Sequence, residues 1–557
     1  MQVAPRHGVD TFMFANSRLK IAYALLVVCA GARLLLQMAA LPPYAGLDEI
    51  YHVARLAFVR AEHRNPTTTE PSIPPYLMAS IAAAQGNGAL RRSDSQSDKH
   101  VTSDWRVRPT SNWKVRRTSN AIAMPAMGEA GDRWPSIVAS RGGDVLDHRP
   151  LSAADVKPYV VRNYEAQQTS IYYSLVAGVV PLRSALFELR MWRLLSLFFA
   201  LITILAIAEI GRRWFGAMGI LGAAILVSLP TWETLVVRAG NDAFACMLAA
   251  VAVAISVAAP RRPFVFVVEA IVWGLALNAK MYTWPLLAVL PLFWWRQRPA
   301  KARMIAVTMV SIVAVVLTFA ELSSRTSNPL GVVAFDRPGG ISYAANVSIS
   351  ELVRVTIASA AWTSGQFNDA LRPGAIALYL GPVVVAMIVA LRRRDAAGPA
   401  GGTPAFLALL AFALAQTYNV VACVLARRGG NPIPIGGKEG WYWYVLAPLV
   451  IPALLVPAMS RWRLTAWWLV LWDVVVTEVA LFHDFAGNTA PLHGSALFRW
   501  GPLHWPFTAN LSSIGVGPLA ASIVIIRLVH LAAFFSLESI LQPLRVNDRN
   551  TDTARAD

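Results

Sequence analysis

Leu19-Lys20-Ile21-Ala22-Tyr23-Ala24-Leu25-Leu26-Val27-Val28-Cys29-Ala30-Gly31-Ala32-Arg33-Leu34-Leu35-Leu36-Gln37-Met38-Ala39-Ala40-Leu41 is a mostly apolar stretch that follows a positively charged start and runs into Pro42-Pro43-Tyr44. About 20 such residues in helical form cross the hydrocarbon core of a bilayer. No small-residue cleavage site follows, so the stretch reads as an uncleaved first membrane helix. The rest of the 557 residues fits that solvent: 56% are hydrophobic, only 15% are charged, and the mean hydropathy is +0.47. This excludes a secreted disulfide scaffold, a disordered chain and a DNA-binding domain, and no nucleic-acid partner is expected. Cys29, Cys246 and Cys423 each lie in an apolar run, with no CxxC or Cys/His cluster to hold zinc.

Working outward, twelve candidate spans are expected near 19–40, 191–210, 216–232, 242–259, 264–278, 281–295, 303–321, 373–391, 404–425, 441–459, 464–482 and 513–535. The two near 264–278 and 281–295 are short, and read as a tight hairpin or one irregular element. The formal charge of +18 then acquires a location. Arg212 and Arg213, Arg261 and Arg262, Arg296 to Arg303, Arg392 to Arg394, Arg461 and Arg463, and the tail with Arg545 and Arg549 all fall in connections on one side. The positive-inside rule makes that side cytoplasmic, with both termini. Arg427, Arg428 and Lys438 depart from the alternation. The expected fold is an all-α polytopic membrane protein of about twelve spans, with long outer loops at 41–190, 322–372 and 483–512. Residues 1–321 form the expected catalytic module and 373–557 the C-terminal membrane helices. The short run Thr169 to Leu182 is expected to be an interfacial helix, because a crossing there would reverse every later basic cluster.

Chemistry should sit among the polar residues at the outer helix ends. Gly46-Leu47-Asp48-Glu49-Ile50-Tyr51-His52 follows the first span, and helical spacing puts Asp48 and His52 on one face. A shielded carboxylate beside a histidine suits general-base work on a hydroxyl, whereas an Asp in this place also caps helices. Arg238-Ala239-Gly240-Asn241-Asp242 is a second group, with Asn241 and Asp242 candidates for a polar ligand or a metal and Arg238 for an anion. Helix capping by Asp242 is the plainer reading. Asn278, Lys280 and Tyr282 form a third, in which Lys280 either snorkels or meets a lipid-linked phosphate. In Tyr164-Glu165-Ala166-Gln167-Gln168-Thr169-Ser170-Ile171-Tyr172-Tyr173, Glu165 and Gln168 could bond a sugar, and Tyr172 could stack on it or anchor at headgroup depth. Gly440-Trp441-Tyr442-Trp443-Tyr444 reads as an aromatic belt, and His483, Asp484 and His493 match no standard metal spacing. Phosphate-loop, dinucleotide, nucleophile-elbow and kinase motifs are absent.

The order of these motifs, joined by Leu189-Arg190-Met191-Trp192-Arg193-Leu194-Leu195-Ser196, resembles the integral-membrane glycosyltransferases of the GT-C superfamily over roughly residues 15–300. It is similar to a bacterial branch with Pro-Asp-Glu and a nearby His after helix one, related to the protein O-mannosyltransferase and aminoarabinose transferase groups. The resemblance implies a GT-C-like fold and transfer of a sugar from a polyprenyl-phosphate donor to a cell-envelope glycan or lipid-linked acceptor, with inversion. It implies Asp48 as the general base, Glu49 and His52 in support, and Asp242 as a residue for acceptor or metal. No cofactor is required by this reading, and a divalent metal is the one candidate. Leu47 replaces the Pro of the branch, Gln168-Thr169-Ser170-Ile171 replaces its His-Pro-Pro-Leu, and 85–157 reads as an insertion. A transporter or flippase of lipid-linked sugars is the rival expectation, set aside because the polar groups are expected at helix ends and no internal repeat is visible. A non-enzymatic envelope-assembly protein is the third.

Overall fold

A computed structural model of the chain describes residues 17–40, 49–67, 71–73, 77, 159–162, 168–181, 185–258, 262–291, 294, 300–325, 373–392, 403–428, 440–456, 464–474 and 516–553. These residues are helical apart from one two-stranded ribbon. Among the described residues, five helical stretches are long and apolar enough to cross a membrane: Ser17–Met38, Ala185–Val227, Asn241–Ala258, Lys301–Arg325 and Val524–Leu541. Pro263–Ala279, Phe406–Thr417, Trp443–Ala453 and Leu464–Val474 are apolar but shorter. The chain is by these features a membrane protein. The outward faces agree, since Phe264, Val267, Val268 and Ile271 on one helix and Ile305, Met309, Ile312, Val313 and Val316 on another are exposed. An apolar outer face suits lipid and would be anomalous in water.

Helix α1 (Ser17–Ala40) leads to a short helix α2 (Glu49–Glu62). Strand β1 (Pro71–Ile73) pairs antiparallel with β2 (Tyr159–Arg162), and the chain returns through α3 (Ile171–Val176). Next come α4 (Ala185–Phe215), α5 (Gly219–Val227), α6 (Pro230–Val237), α7 (Asn241–Ala258), α8 (Pro263–Ala279) and α9 (Lys301–Arg325). Helices α10 (Pro373–Arg392) and α11 (Thr403–Arg428) follow. After the short irregular helices from Gly440 to Leu455 come α12 (Leu464–Val474) and the long α13 (Val516–Thr553).

At one end of the bundle α4 folds back into α5 through Gly216, whose positive φ of 69° favours glycine. Gly211 and Gly219 meet backbone to backbone there, so a Cβ on Gly219 would fall 1.9 Å from the Gly211 carbonyl oxygen. Close by in the chain Arg212 and Arg213 both bind Glu209, which also accepts from the Tyr23 hydroxyl at 2.9 Å. Arg303 is buried rather than lying in a basic loop: it binds both oxygens of Glu269, at 2.6 and 2.8 Å, and Ser256 donates to the same carboxylate. The irregular element expected near 281–295 begins where α8 stops. Lys280 is extended there, the Thr283 hydroxyl caps the carbonyls of Ala276 and Lys280, and Pro285 lies within a 3-10 stretch from Met281 to Val289. The consequence is that Lys280 sits on a fixed corner at the opposite end of the bundle, where α1, α7 and α9 also have one terminus.

Candidate functional site

Helix α2 is buried along nearly its whole length and is held by ions at both ends. Arg193 on α4 makes a two-pronged contact with Glu49, at 2.8 and 2.6 Å, and Arg60 reaches Glu188 on α4 at 2.9 Å. The backbone N–H of Ala239 donates to Glu49 at 2.9 Å. Glu49 thereby ties α2, α4 and the turn before α7 together, and its oxygens are spent on that task. In the structure Glu49 thus has a positioning role, joining three elements. Asp48 and Glu165 lie outside the described residues.

The turn after α6 carries Arg238 in extended conformation, and α7 begins three residues later. Asp242 in that first turn accepts from Arg238 and from Lys280, and all three side chains are buried. A carboxylate at a helix N-terminus is favoured by the helix dipole as well. A favourable place in the helix dipole and ion pairing therefore coexist at Asp242. A divalent cation does not fit here: Asp242 has both oxygens turned to cations, and the described residues contain no group of three or more His, Cys, Asp or Glu able to hold a metal. Lys280 does not snorkel outward.

His52 packs over this group. A Cβ on Gly240 would lie 3.1 Å from His52 Cδ2, so the glycine permits the close approach. His52 Nδ1 is 2.6 Å from the Tyr173 hydroxyl, and the Arg55 guanidinium lies 3.8 Å above the Tyr173 ring. Burial, reinforced by Arg238 and opposed by Asp242, holds the His52 pKa well below its ordinary 6.5, so the ring is neutral. Burial likewise raises the Tyr172 hydroxyl above its usual range. The tyrosines expected to stack on a sugar or anchor in headgroups are instead enclosed, with Tyr172 against Phe244 and edge-on to Tyr173. Trp443 and Tyr444, expected in an aromatic belt, are buried too, and Trp443 meets Tyr282 edge-on at 5.1 Å. Asn278 turns away to Thr318, at 2.7 Å.

Gln168 fastens the returning loop. Its side chain accepts from Asn241, while its backbone carbonyl accepts from Arg55 at 2.9 Å and from Arg325 at 3.0 Å. Thr169 donates to the Ala279 carbonyl at 2.8 Å, and Ser170 N–H donates to Glu321 at 2.9 Å. The structure thus unites His52, Gln168, Tyr172, Arg238, Asn241, Asp242 and Lys280 from the sequence-based set. It joins Tyr173 to Tyr172, and adds Arg55, Arg193, Glu321 and Arg325, which sequence reasoning missed. Arg55 was detectable three residues beyond His52, on the same helical face.

A second charged cluster was not foreseen at all: Arg33, Arg527 and His530 lie within their helices, while Glu233 is in the first turn of α6 and Asp473 near the end of α12. Arg33 on α1 pairs with Glu233 on α6 and with Asp473 on α12, at 3.3 Å for the latter. Arg527 on α13 binds Asp473 at 2.9 Å and donates to His530 at 3.0 Å. The expectation that polar groups gather only at helix ends is corrected here. No protein-family model, curated protein or solved structure matches the chain.

Proposed function

We propose that the chain is a GT-C-type glycosyltransferase of a bacterial inner membrane, with about twelve spans and both termini cytoplasmic. It moves a sugar from a polyprenyl-phosphate donor to an extracytoplasmic envelope acceptor. Asp48 takes the acceptor's proton, the oxygen attacks the anomeric carbon, and the phosphate leaves with inversion. The observation that supports this reading is the buried charge around α2 and α7. Buried Arg55, Arg193, Arg238 and Lys280, with half-buried Arg325, stand against buried Glu49 and Asp242 and half-buried Glu321, so cations outnumber carboxylates in this set of described residues. Such a site suits the phosphate of a lipid-linked substrate. Neutral His52 and the amides of Asn241 and Gln168 supply hydrogen bonds for hydroxyls nearby.

The test is purified protein given a panel of polyprenyl-phosphate sugars, with mass analysis of products. Transfer is expected from at least one donor, and Asp48→Asn is expected to lower it by roughly 10²–10⁴-fold with folding intact. Full activity in a folded Asp48→Asn protein removes the assigned base. A lipid-linked-sugar transporter is the second reading, favoured by the ionic cluster inside the helices. Cysteine labelling of positions 48 and 242 from both membrane faces, with sugar movement in proteoliposomes and no new glycosidic bond, would select it.

A further inference from the structure

We propose that Asp242 is an internal stand-in for the donor's phosphate, and that its return to Arg238 and Lys280 expels the product lipid. This rests on the glycosyltransferase reading for its substrate, and on the buried Arg238–Asp242–Lys280 contact for its geometry. The two cations come from separate elements, the cap of α6 and the end of α8, and Asp242 lies between them. A phosphate oxygen offers the same acceptor chemistry as a carboxylate oxygen, so an entering phosphate competes for the same donors. Binding is then an exchange of anions.

The exchange has a direction because the reaction changes the charge on phosphorus. The donor is a phosphodiester and carries one negative charge. Transfer breaks the bond between anomeric carbon and phosphate oxygen, and the electron pair stays on that oxygen. The new bond joins the anomeric carbon to the acceptor oxygen, whose proton goes to Asp48. The released polyprenyl phosphate is a monoester with a second ionisation near pH 6, so near neutral pH it carries between one and two negative charges. Two buried cations would hold it more firmly than the donor. A competing carboxylate fixed on the first turn of α7 weakens that hold at a constant effective concentration. His52, kept neutral and packed over Gly240, adds no positive charge of its own beside Arg238 and Lys280.

The experiment compares wild-type protein, Asp242→Asn, Asp242→Ser and Lys280→Met in lipid nanodiscs. Binding of polyprenyl phosphate is measured directly, with inorganic phosphate as a second probe that separates a lipid-headgroup site from a free-phosphate site. Asp242→Asn and Asp242→Ser should bind polyprenyl phosphate roughly 10–100-fold more tightly, the scale of a hydrogen bond to a charged group. Lys280→Met should bind it more weakly by a similar factor. In turnover, the Asp242 variants should show a rapid first cycle followed by a slow steady state, with lower KM and lower kcat. A purely structural Asp242 would weaken binding and turnover together. Unchanged or weaker polyprenyl-phosphate binding in the folded Asp242 variants overturns the proposal. If neither Asp242 variant folds, Lys280→Met that binds as tightly as wild type overturns it. Tighter binding without transfer from any donor would leave the anion exchange standing and sink the transferase reading instead.

Discussion

The Arg238–Asp242–Lys280 group and the Arg33–Glu233–Asp473–Arg527 group share one short helix, α6, and are built on opposite charge rules. In the second, two guanidiniums face two carboxylates, and the assembly joins α1, α6, α12 and α13. His530 completes it by accepting from Arg527, since a guanidinium can only donate. In the first, two cations share one carboxylate, with Arg55 close by against Tyr173. Among the described contacts the second set matches guanidinium to carboxylate one for one, and the first gathers two cations on a single carboxylate. The two sets sit only five positions apart at Glu233 and Arg238, so the balanced group supports the turn that carries the unbalanced one.

The largest expected effect tests the matched charges of the balanced group. Arg33→Met leaves buried carboxylates facing one another and should cost about 3–5 kcal/mol of stability, whereas Arg33→Met combined with Glu233→Leu should recover much of it. Unfolding in detergent, read as a double-mutant cycle, gives the coupling, and additive single effects would mean that the pair does not act as a unit. A smaller effect is expected beside the unbalanced group. Gly240→Ala places a methyl 3.1 Å from the His52 ring and should cost about 1–3 kcal/mol through forced displacement of His52. Thermal unfolding together with polyprenyl-phosphate binding would show both consequences, and a silent Gly240→Ala would mean that the His52 packing is slack.

The smallest effect concerns acidity. Because His52 stays neutral in the fold, lowering the pH below 6.5 protonates this residue in the unfolded chain while the folded protein refuses the proton. Stability therefore rises with pH through the window beneath 6.5, by about 1 kcal/mol for this group between pH 5.5 and 6.5. His52→Gln should remove that share of the slope. An unchanged slope would show that His52 is charged in the folded state.

Hydropathy made the helical membrane character legible, because apolar runs such as 19–40 and 303–321 have few other homes. It also placed Lys280 between two short apolar runs, and the structure has α8 stop there before a 3-10 stretch. The partners of charged residues were not legible. Glu49 and Arg193 are 144 positions apart and Arg33 and Asp473 are 440, so only the packing of helices brings them together. Arg303 illustrates the same limit in reverse: a basic residue at the edge of an apolar run reads as a loop charge until Glu269 is seen opposite it. Which of Tyr172 and Tyr173 meets His52 was not legible, because neighbouring residues on a six-residue helix offer no period from which to choose.

The ribbon of β1 and β2 has a consequence for how this chain can be edited. Pro71 pairs with Arg162 and Ile73 with Tyr159, so two stretches far apart in the sequence are held side by side. Leu77, just past β1, is already buried in the core. Adjacent strands need only a short link to be fixed to one another, and a short closure costs less chain entropy than a long one. A protein engineer could use the facing positions Pro71 and Arg162, or Ile73 and Tyr159, to place a cross-link that locks the ribbon.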